Sequence, residues 1–572
     1  MKFEWQTPDA NPQLHEAALA LAQDIGMSPV MGRLLLQRGV KTPAEARRFF
    51  RPQLTELHDP FLYKDMDVAV ERLNQALGRK ERILIYGDYD VDGCTAVALV
   101  YKFLQQYYSN LDYYIPDRYE EGYGVSRRGI NYAAMTGVKL IIVLDCGIKA
   151  VEEITYAKEQ GIDFIICDHH VPDDVLPPAV AILNAKRVDS AYPYPHLSGC
   201  GVGFKFMQAF AKSNGIEFSS LIPLLDLVAV SIASDIVPIL GENRILAYHG
   251  LRQLNANPST GLKAIIDVCG LKDRELGIND ITFKIGPRIN ASGRMQNGRE
   301  AVDLLVERDA DTARLMAEQI NEYNDQRKDL DKQMTEEANR IVASLDAQHE
   351  KHSIVLFSHE WHKGVIGIVA SRLTEVYFRP SVVITMVDGM ATGSARSVPG
   401  FDIYKAIESC RDILLNFGGH TYAAGLTLRE EHVGEFVRRF DEYVEANISE
   451  CQTKPVLQIE AELRFSEISR RLMNDLKRLS PFGPDNPRPL FITQHVYDYG
   501  TSRVVGRQQE HIRLELVDNQ SSVVHSGIAF GQSSEARYIK SRHAFDIVYA
   551  VEENTHHRGE AQLQIEDIRP SE

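Results

Sequence analysis

Four apolar runs, each ending in an acidic cluster, constrain this chain more than any other feature of its sequence. ILIY precedes Asp88, Asp90 and Asp92; IIVL precedes Asp145; FIIC precedes Asp168-His169-His170; and VAVSIAS precedes Asp235. Read as strands of an open parallel α/β sheet, these runs deliver their carboxyl ends to one crevice, so acidic groups far apart in sequence meet there. Several carboxylates and imidazoles crowded together repel one another unless divalent cations lie between them. Oxygen-rich ligands with a minority of imidazole suit manganese or magnesium better than a structural zinc site, which favours thiolates. The pattern predicts a metal-dependent hydrolase.

The segments between the runs support an α/β fold. ERILIY is followed by the helical pattern CTAVALVYKFLQQYY, KLIIVL by KAVEEITYAKEQ, and DFIIC by a Pro-rich loop and the strand-like VAIL. Short buried strands alternating with helices indicate a parallel sheet with right-handed crossovers. Five regions are expected: a helical segment over 1–45 with a Thr-Pro helix start at TPAEARRFF, a catalytic domain over 46–298, a linking helix over 299–350, a smaller α/β domain over 351–450, and a β-barrel over 451–572. No glycine occurs between Gly298 and Gly364, and no proline between Pro287 and Pro380. The linker therefore reads as one long helix or a broken pair bridging two domains, and would set the width of a cleft between them. The smaller domain shows SIVLF, a helix from about Val365 to Tyr377, SVVITM, glycine-rich turns at GSARS and FGGHTYAAG, and a helix from Val433 to Ile448. The last region reads as successive short strands with one helix, ISRRLMNDLKRL, a pattern that fits a small barrel of the oligonucleotide-binding type.

A net charge of −16 means that a polyanionic substrate must meet a local basic patch or the metals themselves. No apolar stretch long enough to span a membrane and no secretory layout at the start is present, so a cytoplasmic protein is expected. Seven cysteines without a CxxC pair exclude a disulfide framework or zinc ribbon. Cys94, Cys146 and Cys167 flank the acidic clusters at strand ends and a helix start, where cysteine commonly serves as a small buried hydrophobe, so they read as packing residues in preference to ligands.

Each acidic group has a plain alternative. YGDYDVDG places three carboxylates in a loop, yet Asp and Gly also make ordinary turns. Asp145 alone is explained as the N-cap of a helix starting near Lys149. Asp168-His169-His170 is harder to explain structurally, because three polar groups need partners near a core.

Together, YGDYDVDG, VLDCGI, DHH and ASDIVP resemble the four motifs of the DHH phosphoesterase superfamily. PDRYEEGYG, GPRINASGRM, GSARS and GGHTYAAG sharpen the resemblance to its RecJ family of single-strand-specific 5′→3′ DNA exonucleases. GGHTYAAG resembles the signature of the DHH-associated domain, and PFGPDNPRPLF resembles the segment that leads into the family's oligonucleotide-binding domain. The resemblance spans nearly the whole chain, with no departure at the metal-binding positions. It implies two manganese or magnesium ions held by Asp90, Asp92, Asp145, His169 and Asp235, with Asp145 bridging and Asp88 in or just behind the coordination sphere. His170 would contact the scissile phosphate or orient a ligand. Asp88, His170, Arg288 and His420 are the implied catalytic groups. Arg118, Arg288, Asn290, Arg294, Ser394, Arg396, Gly418, Gly419 and His420 are the implied substrate-binding groups, with the arginines reading a 5′ phosphate unless they are spent in surface ion pairs. Tyr497, Tyr499, Arg503, Arg507 and Arg513 would extend the strand's path over the barrel, although aromatics in short strands also serve as core.

The activity implied is two-metal-ion hydrolysis of single-stranded DNA to 5′-mononucleotides in recombination and repair, including mismatch repair. The single-strand-binding protein and a RecQ-type helicase are the implied partners, and a monomer is expected. A small-substrate phosphodiesterase, of nanoRNase or cyclic-dinucleotide type, and a non-catalytic DNA-binding scaffold are the competing readings.

Overall fold

A computed structural model describes residues 3–7, 11–346, 351–449, 454–554 and 559–571. The domain limits expected at 1, 350, 450, 451 and 572 fall outside the described residues. The chain forms two compact units. Of the described residues, one holds those within 288–297 and 315–456 together with 3–4; the other holds those within 5–287, 298–314 and 457–571.

In the larger unit, Leu111–Tyr114, Arg82–Gly87, Val138–Leu144, Asp163–Cys167 and Ala181–Leu183 lie side by side in that order, all parallel. Counted in chain order the strands run 2-1-3-4-5. The winding therefore reverses between Arg82–Gly87 and Val138–Leu144, and the loops leaving those two strands open a crevice at their carboxyl ends. The strands are apolar on both faces because both faces are covered. Leu84, Tyr86, Ile141 and Val143 pack with Ile130, Ala133, Ile154 and Ala157 of helices Arg127–Met135 and Val151–Glu159. Helices Val91–Leu104 and Gly199–Ser213 lie together on the opposite side.

One expected strand is a helix. VAVSIAS belongs to helix Leu225–Ser234, so Asp235 reaches the crevice from a helix C-terminus. A short apolar run buried all round has no periodicity that separates strand from helix. Small residues decide the packing: a Cβ on Gly250 would meet Leu225 O at 2.2 Å and Ala229 Cβ at 2.7 Å, which is how closely the neighbouring helix Gly241–Ala256 approaches.

The C-terminal residues close into a five-stranded barrel. Phe491–Asp498, Phe545–Glu553, Ala561–Pro570, Val524–Ala529 and His511–Asp518 follow one another, and the last pairs back with the first at Val496↔Asp518. The N-terminal helices Pro12–Ile25, Pro29–Gln37 and Pro43–Phe50 belong to the same body. Leu34, Leu35, Phe49 and Phe50 share one core with barrel residues Phe491, Leu514, Phe545 and Leu563. Arg38 clamps the join, with Nη1 donating to Glu460 at 2.5 Å and Nε to Asn486 Oδ1 at 2.7 Å. Thr42 and Glu45 form a reciprocal capping box around Pro43, the helix start expected from TPAEARRFF.

In the smaller unit, Leu414–His420, Ala423–Leu428, Met390–Arg396, Ser381–Val387 and Ile354–Phe357 form a mixed sheet in that order. GSARS and FGGHTYAAG are strands, not the expected turns: the first lies in Met390–Arg396, and the second makes a hairpin turning at Thr421-Tyr422. Glycine here answers to packing. A Cβ on Gly393 would sit 3.1 Å from Ile384 and 3.2 Å from Leu426 side-chain carbons. The linker is one helix, Ala310–Asp346, preceded by Arg299–Val306. Met334, Ala338 and Val342 bury against Val365, Val369 and Leu373 of helix Lys363–Tyr377.

Candidate metal centre

The acidic residues converge on the expected crevice, but each arrives by its own route. Asp90 is the N-cap of helix Val91–Leu104, its Oδ1 accepting from Gly93 N at 3.0 Å, while Asp92 lies inside the first helical turn. The anticipated three-aspartate loop is thus a loop running into a helix. Asp145 is not the N-cap considered above: it adopts φ 61°, and the amide of Ile148 is satisfied by Asp168 Oδ2 instead, at 3.0 Å. His169 Nε2 then lies 3.1 Å from Asp145 Oδ1, 3.6 Å from Asp235 Oδ2 and 3.9 Å from Asp92 Oδ2. Asp145, His169 and His170 form one group, and Asp92, His169 and Asp235 another, in which the potential ligand atoms all lie within 4.8 Å of one another.

Asp168 supports the two histidines. Its Oδ1 accepts from His169 N at 2.7 Å, His170 N at 3.1 Å and His170 Nδ1 at 2.8 Å. Burial alone would raise its pKa, but the hydrogen bond and charge of His170 hold it below the usual carboxylate range. His170 is raised in turn, because Asp168 outweighs the cost of burial. His169 behaves oppositely. Burial, reinforced by the neighbouring His170, lowers it to about 3, leaving a neutral imidazole suited to a metal. Burial and repulsion from neighbouring carboxylates push Asp88, Asp145 and Asp235 well above the ordinary range. Asp92 rises to about 6, moderated by hydrogen bonds from Ser231, Cys200 and Gly199.

The donor set fits divalent cations. Asp88 Oδ1, Asp145 Oδ1, His169 Nε2 and Asp235 Oδ2 are buried without hydrogen-bond partners. Buried polar atoms normally have partners, so the Asp145 and Asp235 oxygens facing the His169 nitrogen without any fit a cation there. Cys94, Cys146 and Cys167 are buried and their thiols raised by burial, as packing residues would be.

Arg118 lies in this unit with its guanidinium 4.0 Å above the Tyr89 ring, its Nε buried without a hydrogen bond and its charge opposing that of Asp88. No ion pair holds it among the described residues. The other implied substrate residues belong to the smaller unit. Arg288 Nε donates to Asn321 Oδ1 at 2.9 Å, and Arg294 Nη1 to Gly364 O at 3.0 Å. Arg396 Nη1 donates to Ser394 Oγ at 3.0 Å, close beside Gly367, where a Cβ would meet both side chains. Asn290 Oδ1 is buried without a partner. Gly418, Gly419 and His420 are exposed on the hairpin, and Gly419 has φ 146° with Ala423 O only 2.4 Å from where a Cβ would lie. On the barrel, Arg503 and Arg513 are direct cross-strand partners, Tyr499 and Arg507 are exposed, and Tyr497 is half-buried.

Several supports escaped the sequence reading. Gly199 N and Cys200 N donate to Asp92 at 2.6 and 2.8 Å, and Ser231 Oγ donates to it at 2.7 Å. Gly199 must lack a side chain, since a Cβ would stand 2.5 Å from that of Asp145. Tyr123 OH donates to Asp145 O at 3.2 Å and lies 3.3 Å from His170 Nε2. The small-residue run LSGCGVG at a helix start was a signal for Gly199 and Cys200, and Tyr123 lies within PDRYEEGYG, where no role was read for it. Ser231→Ala should weaken manganese binding about 10–100-fold, the usual range for a group that orients a ligand. Calorimetric titration checks this.

Family models match residues 82–232 as the DHH family N-terminal domain, 350–446 as the DHHA1 domain and 459–567 as the RecJ OB domain. The chain is 34% identical to the single-stranded-DNA-specific exonuclease RecJ of Bacillus subtilis, covering 100% of this chain and 71% of that protein. It is 32% identical to the Haemophilus influenzae protein of the same name, covering 96% and 97%. A crystal structure of RecJ from Thermus thermophilus in complex with Mn²⁺ superposes with a TM-score of 0.84 at 25% identity, covering 100% of this chain and 80% of that one.

Proposed function

The chain belongs to the RecJ family of single-stranded-DNA-specific exonucleases, and from that premise we propose that it removes 5′-mononucleotides from the 5′ end of single-stranded DNA in recombination and repair. The observation that carries the assignment of its reacting centre is the set of buried, partnerless atoms on Asp88, Asp145, His169 and Asp235. It is a metal-dependent exonuclease, in which Asp90, Asp92, Asp145, His169 and Asp235 would hold two Mn²⁺ or Mg²⁺ ions, with Asp145 serving both. Bound ions supply an activated water and offset the charge that builds on the phosphate and leaving oxygen.

The chain's own residues do the remainder. Asp168 accepts from His170 Nδ1 and raises that imidazole's affinity for a proton, which suits it to donate toward the scissile phosphate, and Asp88 is assigned a place in or just behind the ligand set. Arg118 supplies a positive charge that stacking on Tyr89 holds in place, with no ion pair among the described residues. Arg288, Asn290, Arg294, Ser394, Arg396 and the Gly418–His420 hairpin are assigned to the 5′ phosphate and the adjoining backbone. Arg503 opposite Arg513 supports a nucleic-acid track on the barrel, since like charges directly across a strand pair are destabilising unless an anion lies over them. We place the protein in the cytoplasm as a monomer working with the single-strand-binding protein and a RecQ-type helicase. No described helix is long and apolar enough to cross a membrane.

The test is manganese-dependent digestion of 5′-labelled single-stranded DNA beside its duplex and a 3′-blocked strand. Labelled mononucleotide released from both single strands, and not from the duplex, is expected. Tight binding without release would favour the scaffold, and cleavage confined to dinucleotides would favour the small-substrate reading.

A further inference from the structure

Ile236, immediately after Asp235, has φ 58° and remains 72% exposed. A left-handed conformation at a β-branched residue is a true outlier, because its Cβ crowds the following carbonyl. The turn itself has an ordinary purpose: helix Leu225–Ser234 ends here, and a left-handed residue after the helix turns the chain so that Asp235 points to His169. Glycine or asparagine does that with little strain. An exposed isoleucine gains nothing from the protein core to offset the conformational cost, whereas the next residue, Val237, is buried. Strain retained next to a reacting centre marks a side chain used there.

We propose that Ile236 is a substrate-contacting residue, its branched apolar side chain packing against the sugar or base of the nucleotide whose phosphate lies at the metal centre. Consecutive Cα atoms are only about 3.8 Å apart, so a phosphate held near Asp235 brings its own nucleoside within reach of Ile236. Sugar and base faces are apolar surfaces common to all nucleotides, and a contact of this kind positions the strand without reading its sequence. This inference rests on the exonuclease reading above.

Ile236→Gly and Ile236→Asn both tolerate the left-handed turn, and asparagine does so without glycine's extra freedom. Both variants are expected to melt at or above the parent temperature and to bind manganese unchanged in calorimetry. Their KM for single-stranded DNA should rise about tenfold, the scale of a lost apolar contact in a substrate site. Ile236→Val should keep KM within about twofold of the parent. Unchanged KM in both the glycine and asparagine variants would overturn the contact. So would a loss of manganese binding that accounts for the KM change, which would make Ile236 a support for Asp235 instead. If the parent itself degrades no single-stranded DNA with manganese, the exonuclease reading fails instead; tight binding of the strand without turnover, with affinity unaltered in both variants, would then overturn the contact separately.

Discussion

Asp145→Asn should lower turnover of single-stranded DNA by about a thousandfold or more, yet raise the melting temperature of the metal-free protein. Both effects come from one cause. Asp145 is buried, has an oxygen without a hydrogen-bond partner, and sits among Asp92, Asp90, Asp235 and Asp88, each of which raises its pKa after burial has done most. Without cations, that carboxylate is a repulsive charge in a low-dielectric place, and the amide removes it. With cations, a carboxylate offers two negatively charged oxygens as ligands, and an amide is a far poorer one. A carboxyl whose pKa is higher folded than unfolded binds its proton more tightly in the native state, so metal-free stability falls as pH rises through the folded value. Manganese competes with those protons. The melting-temperature gain on adding Mn²⁺ should therefore be larger at pH 8 than at pH 6, and smaller in Asp145→Asn than in the parent at both. Scanning calorimetry with and without chelator reads both, and an asparagine variant that keeps a tenth of parental turnover would remove Asp145 from the centre.

The parts of this site visible in the sequence were those announced by long apolar strands. Asp88, Asp145 and Asp168-His169-His170 each follow a run buried on both faces, and the parallel sheet carries them to the switch point. Asp235 was found for a partly mistaken reason, because VAVSIAS is helical and a fully buried run looks alike in either form. The glycine-rich strands were misread as turns because their glycines answer to neighbours such as Ile384 and Leu426, which no local pattern reveals. The hydroxyl that steadies Asp92 comes from Ser231, 139 residues away, and an isolated serine in an apolar run carries no sign of that role. The union of the N-terminal helices with the barrel was equally hidden. Arg38 and Glu460 are 422 residues apart, and each looks like an ordinary surface charge until they meet.

That union has a second fastening, whose loss should be the largest purely structural effect in the molecule. Arg244, on helix Gly241–Ala256 of the catalytic region, is buried with no carboxylate partner among the described residues; burial, helped by the charge of Arg38, lowers its pKa to about 9. Its guanidinium is spent on main-chain carbonyls. Nε and Nη2 donate to Phe49 O at 3.0 and 2.9 Å, Nη2 to Ser480 O at 2.9 Å, and Nη1 to Leu479 O at 2.9 Å, while the group stacks 3.7 Å over the Phe49 ring. One side chain thus ties the catalytic region, the last N-terminal helix and the segment leading into the barrel. Asn486 Nδ2 also serves Leu479 O and Pro481 O, so truncation would chiefly strand the carbonyls of Phe49 and Ser480. A buried acceptor at Phe49 O and a half-buried one at Ser480 O left without donors, together with the lost stacking, should cost Arg244→Ala about 2–4 kcal/mol. Arg244→Lys should recover less than half of that, since an ammonium cannot present the planar fork that these carbonyls surround. Urea unfolding measures the loss, and limited proteolysis locates it: cutting should begin in the segment around Ser480 while the metal centre still binds manganese. An alanine variant with an unshifted urea midpoint would mean that Asn486 and Arg38 hold the joint by themselves.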